Sequence, residues 1–176
     1  ISLTQKILVI RFSSIGDIVL TTPVIRTLHK QLGAEVHFLT KLAFAPILLS
    51  NPHVEIVIAL SDEFNDLLSA LRGEQYDHII DLHHNIRTKR IKIALARPST
   101  AFKKLNFQKW LLVRFGINRL PDTHIVDRYL AAGVSLGIKR DGKGLDVFIP
   151  PEREIDIRTA FGADPGTYVA IVIGAA

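Results

Sequence analysis

The sequence of this 176-residue chain predicts an α/β fold built on a parallel, doubly wound sheet. Short apolar runs rich in Val and Ile recur along the first half of the chain, as in strands that are covered on both faces. Segments with apolar residues at helical spacing separate these runs. Such an alternation is typical of parallel strands joined by right-handed helical crossovers.

The predicted elements alternate regularly as far as residue 82. Strands are expected at residues 7–10, 35–39, 54–60 and 76–82, and helices at 18–32, 41–49 and from capping residues 61–63 to Gly73. Pro23 lies inside the pattern of the first helix, where it cannot donate a backbone hydrogen bond. Either this helix is kinked at Pro23, or residues 17–21 form an irregular turn and the regular helix starts near Thr22.

The second half of the chain is less regular. Residues 105–118 have helical spacing, and we assign Trp110 to the hydrophobic core in preference to a lid. A helix from 121 to 137, a short strand at Leu145–Ile149, a helical stretch at 152–161 and a strand at 168–173 follow. Because Pro150 and Pro151 form a stiff break, we expect one domain at 1–150, and at 151–176 a linker and the start of a second, truncated domain.

Composition excludes several classes of protein. The chain has no cysteine, which excludes a disulfide scaffold, a thiolate metal site and a cysteine nucleophile. No apolar run approaches the roughly 20 residues that a membrane-spanning helix needs, and no signal peptide precedes the first strand. We therefore expect a soluble, intracellular protein.

The loop after the first strand is the first candidate site. Ser13, Ser14 and Gly16 form a small-residue turn, and Asp17 follows at the start of the helix. The turn matches neither a dinucleotide fingerprint nor a phosphate-binding P-loop. Ligands of open α/β sheets gather at the carboxyl ends of the strands, so Asp17 is a candidate base. Its position alone favours a capping role, which would also lower its pKa.

A second polar stretch, residues 81–85, follows the fourth strand and should face the same crevice. Its adjacent histidines, His83 and His84, suggest a metal site, but neighbouring residues on an extended chain point to opposite sides and no third ligand stands at a suitable spacing. We expect one imidazole to form a hydrogen bond in the crevice and the other to pack.

Basic residues are concentrated between His83 and Pro121. This segment contains no Asp or Glu and ten of the 22 basic residues, so the rest of the chain has 12 basic and 17 acidic residues, a net −5. Such an excess attracts a polyanion, but the modules and stacking aromatics of nucleic-acid binding are absent. We interpret Lys103, Lys104 and Lys109 as a solvated helix face. The cations next to the second loop are candidates for anion binding at a helix amino terminus: Arg87, Lys89, Arg90 and Lys92.

Three segments carry a resemblance to a known family. Residues 6–23 (KILVIRFSSIGDIVLTTP), 81–88 (DLHHNIRT) and 124–130 (HIVDRYL) together resemble glycosyltransferase family 9, the lipopolysaccharide heptosyltransferases. The resemblance implies a GT-B enzyme with two Rossmann-like domains facing a cleft. This chain would be the amino-terminal, acceptor-binding half.

The resemblance also implies roles for individual residues. Asp17 would be the general base that acts on an acceptor hydroxyl. Acceptor-binding residues would be Arg11, Ser13, Ser14, Gly16, His83, Asn85, Arg87, Lys89, Arg90 and Arg128. For Arg128, an ion pair with Asp127 on the same helix face is an equally good interpretation.

The implied reaction is an inverting transfer of heptose from ADP-heptose to the phosphorylated lipid A inner core, without a metal or cofactor. It would take place at the cytoplasmic face of a bacterial membrane. Because the nucleotide sugar would be bound mainly by the second domain, we expect the chain alone to be inactive. Two other interpretations remain: a GT-B transferase with another donor, and a non-catalytic anion-binding module in which Asp17 is only a cap.

Overall fold

A computed structural model describes residues 4–164 and 166–169. Its centre is a five-stranded, fully parallel sheet with the strand order β3-β2-β1-β4-β5. The strands are β1 (Lys6–Ile10), β2 (Glu35–Lys41), β3 (Ile56–Leu60), β4 (His78–Asp81) and β5 (Ser99–Ala101). The predicted parallel sheet is confirmed, and β5 is a strand that the sequence pattern did not reveal. The order of the strands reverses between β1 and β4, which places a crevice at their carboxyl ends.

The helices follow the predicted alternation. They are α1 (Ile15–Val19), α2 (Thr22–Leu32), α3 (Phe64–Gly73), α4 (Ile86–Leu95), α5 (Asn106–Phe115), α6 (Ile125–Leu130) and α7 (Ile157–Phe161). The predicted helix at 41–49 is a 3₁₀ turn at Leu42–Ile47, and 3₁₀ turns also occupy Ala131–Leu136 and Pro151–Arg153. Among these described helices, none is long and apolar enough to cross a membrane.

The first predicted helix is divided in two. Helix α1 ends at Val19, and Pro23 lies in the first turn of α2, where its missing N–H leaves no helical bond unmade. The hydroxyl groups of Thr21 and Thr22 donate to the carbonyl oxygens of Ile18 and Val19, at 2.6 and 2.8 Å. The second of the two sequence interpretations is confirmed in part: the regular helix starts at Thr22, but residues 15–19 form the short helix α1 and not an irregular turn.

Strand β1 shows why the sheet needs helices on both faces. Ile7 and Val9 point to one face and pack with residues of α2 and α6. Leu8 and Ile10 point to the other face and pack with residues of α3 and α4. All four side chains have zero exposure. Burial on both faces explains the continuous apolar run in the sequence.

The predicted strand at Leu145–Ile149 is wrong, because this stretch has no strand pairing. Leu145, Val147 and Ile149 are between 48 and 63% exposed. Residues 141–146 are instead held to α2 by the buried side chain of Arg26. Its Nε donates to Asp141 at 2.7 Å, and its Nη2 donates to the Gly144 carbonyl oxygen at 2.9 Å. Arg26 is also paired with Asp146. A buried cation, not a β ladder, positions this segment.

Two further predictions have different outcomes. Trp110 is 53% exposed, so its assignment to the core is wrong, although α5 itself is present as predicted. The last predicted strand, 168–173, lies mostly outside the described residues, and Tyr168 and Val169 are not in a strand.

We expect Asp141→Asn to lower the free energy of unfolding at pH 7 by about 2 kcal/mol. The Arg26 guanidinium lowers the pKa of the Asp141 carboxyl from 3.8 to about 2. The ionised carboxylate therefore stabilises the fold fully above pH 4, and this contribution is lost as the pH falls towards about 2. Urea denaturation across this range measures it. Asp62→Asn, at an exposed carboxylate, is the control, and a deficit independent of pH would contradict the assignment.

Candidate functional site

The crevice at the carboxyl ends of β1 and β4 is formed by two loops that one side chain links. Arg11, directly after β1, is 9% exposed. Its Nε donates to the carbonyl oxygen of Ser13 at 2.7 Å, and its Nη1 donates to the carbonyl oxygen of Leu82 at 2.6 Å. Arg11 therefore ties the loop after β1 to the loop after β4, and fixes the geometry of the crevice.

Asp17 is both a capping residue and part of the crevice. Its Oδ2 atom accepts hydrogen bonds from the backbone N–H and the hydroxyl of Ser14, at 3.3 and 3.2 Å, which is the capping role favoured by its position. The same oxygen lies 2.5 Å from Nη2 of Arg11. The Asp17 side chain is nevertheless 36% exposed, so a ligand can reach it.

An open cavity of about 330 Å³ lies against this carboxylate. Its polar lining consists of Arg11, Asp17, His83, Lys104, Arg128 and Tyr129. Phe102, Leu105 and Ile125 form the apolar part. Three cationic side chains around one carboxylate favour a ligand that carries negative charge and also presents a group for Asp17 to contact.

The local environment keeps Asp17 ionised. Partial burial raises the pKa of its carboxyl, but the hydrogen bond from the Ser14 N–H and the charge of Arg11 outweigh burial, so the pKa lies below its ordinary value of 3.8. The carboxylate is therefore available as a proton acceptor at neutral pH. The same interactions make it a weak base.

His83 is a neutral imidazole at pH 7. Burial, reinforced by the nearby Arg11 and Lys104 charges, lowers its pKa to about 4. Its ring packs against Phe12 with the centroids 4.8 Å apart, and its Nδ1 atom is buried without a hydrogen-bond partner in the described part of the chain. Its neighbour His84 places Nδ1 at 3.1 Å from the carbonyl oxygen of Phe102. One imidazole is thus packed and the other hydrogen-bonded, but the one that lines the cavity is packed His83, whereas hydrogen-bonded His84 does not line it.

Buried Asp81 fixes the conformation of the loop after β4. This carboxylate has zero exposure and accepts hydrogen bonds from the N–H groups of His83 and His84, at 3.1 and 2.7 Å, and from the Thr88 hydroxyl at 2.7 Å. Its charge is paired with Lys92, whose Nζ lies at 2.9 Å. Lys92 therefore stabilises the fold by pairing with Asp81, and the prediction that it binds an anion is wrong.

The other predicted site residues are placed around the crevice in different ways. Ser13 is partly exposed, and Gly16 is exposed with open space where a Cβ would be.

Asn85 caps α4, because its Oδ1 accepts the Thr88 N–H at 2.9 Å. Three cations of α4 do not line the cavity: Arg87 and Lys89 are exposed, and the Arg90 guanidinium lies 4.6 Å from the centre of the Phe64 ring.

Arg128 lines the cavity and is not paired with Asp127. Its Nη2 donates to the carbonyl oxygen of Lys103 at 2.5 Å, and its guanidinium lies 5.7 Å from the centre of the Phe102 ring. Asp127 is paired with Arg140 at 2.8 Å instead. Of the two interpretations, the intrahelical ion pair is wrong.

The sequence did not indicate two of the polar residues that line the cavity, nor its three apolar residues. Lys104 is not part of a solvated helix face, because it lies in the loop before α5 and lines the cavity. Tyr129 lies next to Arg128 in the third motif, and the Arg11 guanidinium lies 5.7 Å from the centre of its ring. The third motif could have indicated that Tyr129 belongs to the site, whereas no local sequence pattern indicates that Lys104 does. Among the described residues, no three His, Asp or Glu side chains are grouped so that they could hold a metal ion.

Comparisons with known proteins define the class of fold. No protein-family model matches the sequence, and no curated protein matches it in a sequence search. Solved structures do match, and together with the fully parallel sheet they confirm the predicted Rossmann-like α/β fold.

Three of the neighbours are named as glycosyl transferase family 9 or as heptosyltransferases, the names that belong to the family that the three motifs resemble. A family 9 glycosyl transferase from Veillonella parvula DSM 2008 matches with a TM-score of 0.63 at 22% identity, over 86% of this chain and 48% of that one. E. coli heptosyltransferase WaaC with ADP matches with a TM-score of 0.59 at 20% identity, over 81% and 51%. E. coli ADP-heptose lipopolysaccharide heptosyltransferase II matches with a TM-score of 0.57 at 25% identity, over 73% and 40%. The matches thus span about half of each neighbour or less.

We expect the Asp17 carboxyl to titrate below 3.8, and its pKa to rise in Arg11→Met, because the largest neighbouring positive charge is removed. Arg11→Lys keeps the charge and is the matched control, in which the pKa should stay lowered. Carbon-13 NMR titration of the Asp17 side chain measures both. An unchanged pKa in Arg11→Met, with the chemical shifts of the core unaltered, would show that Arg11 does not hold Asp17 ionised.

Proposed function

We propose that this chain is the acceptor-binding half of a glycosyltransferase, and that Asp17 is its general base. The observation that carries this proposal is the position of the Asp17 carboxylate: it is ionised, partly exposed, and lies at the edge of a cavity lined by Arg11, Lys104 and Arg128. The cavity occupies the place where open α/β sheets bind ligands. The fold shared with glycosyltransferases supports the same conclusion.

The proposed reaction is a single displacement. The acceptor hydroxyl oxygen forms a bond to the anomeric carbon of the donor sugar, and Asp17 takes the hydroxyl proton. The bond from that carbon to the nucleotide diphosphate breaks on the opposite face, and the diphosphate leaves with the electron pair, so the configuration is inverted. Because Asp17 is a weak base, proton transfer becomes favourable only once the new bond makes the attacking oxygen acidic.

The acceptor is proposed to be anionic. Arg11, Lys104 and Arg128 would hold its charged groups, and the neutral ring of His83 would form part of the cavity wall. Gly16 has open space where a Cβ would be, so the turn of Ser13, Ser14 and Gly16 would leave room beside Asp17 for the sugar. Asn85 would support this arrangement as the cap of α4, and Arg87, Lys89 and Arg90 would attract the acceptor at longer range.

The finer assignment follows from the motifs and the named neighbours. We propose ADP-heptose as the donor and the phosphorylated lipid A inner core as the acceptor, with the reaction at the cytoplasmic face of the membrane. Two of the neighbours are heptosyltransferases, and one of these was solved with ADP. The donor would be bound mainly by a second domain, so the chain alone would be inactive. The proposal needs neither a metal nor a cofactor. Donor profiling of the two-domain protein separates this assignment from transferases that use another nucleotide sugar.

One observation favours a second candidate, a non-catalytic anion-binding module. Asp17 accepts the N–H of Ser14, the N-cap of α1, and has a lowered pKa, which is what a purely structural carboxylate would show. This candidate predicts that the two-domain protein neither transfers nor hydrolyses any nucleotide sugar, although it binds an anionic saccharide.

In the two-domain protein, we expect Asp17→Asn to lower kcat by about 10²- to 10⁴-fold, since proton transfer by a positioned base typically contributes that factor. The acceptor KM should change little, because an asparagine oxygen can still accept the Ser14 N–H. Steady-state kinetics measures both constants, with Asp62→Asn as a distant control. Turnover close to that of the wild type would remove Asp17 from the chemistry.

We expect charge reversal at Lys104 to raise the acceptor KM steeply, and more at low salt than at high salt, because Lys104 lines the cavity and salt screens its attraction. Arg87→Glu introduces the same change of charge on α4, outside the cavity lining, and should raise the KM less. Measurement of both variants at two salt concentrations compares the two surfaces. If Arg87→Glu had the larger effect, the acceptor would lie along α4.

A further inference from the structure

Helix α5 and the turn after it expose a group of large apolar side chains. Val113 is 88% exposed, Phe115 58%, Trp110 53% and Ile117 46%, and we call these four residues the α5 surface. The rings of Trp110 and Phe115 meet edge to face, with their centroids 5.3 Å apart. None of the described side chains of α5 is buried. Contiguous exposed apolar groups of this kind mark an interaction surface.

Cations lie on both sides of the α5 surface. Lys103 and Lys104 precede the helix, Arg114 lies next to Val113, and Arg119 follows Ile117, all of them exposed. No acidic residue occurs between His83 and Pro121, whereas the rest of the chain has a net charge of −5. An anionic partner would therefore be attracted to this surface and repelled by the rest of the molecule.

This combination fits a lipid surface better than another protein. Interfacial helices carry aromatic and aliphatic side chains on one face and Lys or Arg beside them. Tryptophan is enriched at the boundary between lipid and water, where its ring is apolar and its N–H can meet polar groups. A second copy of the chain in a symmetric contact would instead bring identical cations against one another.

We propose that the α5 surface binds the interface of an anionic bilayer, with the Trp110 and Phe115 rings at the depth of the lipid headgroups. Arg114 and Arg119 then contact the anionic headgroups. Lys104 and Leu105 line the Asp17 cavity and directly precede α5, so this orientation places the mouth of the cavity beside the bilayer. The last step rests on the proposed function: an acceptor that carries a lipid would reach Asp17 without leaving the membrane.

The chain contains one tryptophan, so its fluorescence reports on this surface alone. Purified protein is mixed with vesicles of phosphatidylcholine, with or without phosphatidylglycerol. We expect the Trp110 emission to shift to shorter wavelength only with the anionic vesicles, and to be quenched by lipids with brominated acyl chains. Co-sedimentation with the same vesicles should weaken as salt is added, since screening reduces the attraction of the cations.

Matched variants test the residues. Charge reversal at both Arg114 and Arg119 should lower the partition coefficient by about tenfold or more, because each cation near an anionic surface contributes severalfold. Reversal at Lys30 and Arg153, two exposed cations outside the basic segment, should leave binding nearly unchanged. Phe115→Ala should weaken binding, whereas Phe161→Ala, which removes an exposed phenyl ring from α7, should not.

Three outcomes would overturn the proposal: no spectral shift with anionic vesicles, equal binding to neutral ones, or a shift that depends on protein concentration without lipid. The last would identify the surface as a contact between copies of the chain. Transfer to a deacylated, water-soluble acceptor, assayed with the two-domain protein, separates this proposal from the proposed function. If that transfer is absent while vesicle binding persists, the enzyme assignment fails and the membrane surface stands. If transfer occurs without vesicle binding, the membrane surface fails and the enzyme assignment stands.

Discussion

The buried guanidinium of Arg11 is the interaction on which the geometry of the site depends. It donates to the Leu82 carbonyl on one loop and the Ser13 carbonyl on the other, and pairs with the Asp17 carboxylate. Loss of this buried guanidinium would leave both carbonyl oxygens without their hydrogen bonds and the Asp17 carboxylate without its cation, which is unfavourable. The two loops therefore have one favoured arrangement relative to each other. That arrangement leaves Asp17 at the edge of the cavity.

A second buried charge supports the other side of the crevice. Asp81 has zero exposure and collects two backbone N–H groups, the Thr88 hydroxyl and the Lys92 ammonium group. Arg11 and Asp81 carry opposite charges. Arg11 joins the loop after β1 to the loop after β4, and Asp81 holds the loop after β4 to the start of α4. Because charged hydrogen bonds are strong and directional, this network fixes loops that apolar packing alone would leave adaptable.

The same network sets the chemistry available to Asp17. Capping by Ser14 and pairing with Arg11 keep the carboxylate ionised and correctly placed, at the cost of weakening it as a base. Structural and chemical roles are thus not alternatives for this residue. Fold resemblance by itself carries no activity, so the proposed transfer depends on this carboxylate and the cations that surround it.

The sequence by itself determined the parallel sheet, the alternation of strands and helices, and the placement of Asp17 and His83 in loops after two of the strands. These features depend on apolar periodicity, caps and turns, which are set by residues close together in the chain. Only the tertiary structure decided that Lys104 lines the cavity, that Lys92 belongs to Asp81, that Trp110 is exposed, and that Arg26 holds a segment more than 110 residues away. A side chain's partner depends on which distant segments the fold brings beside it, and a local pattern contains no such information.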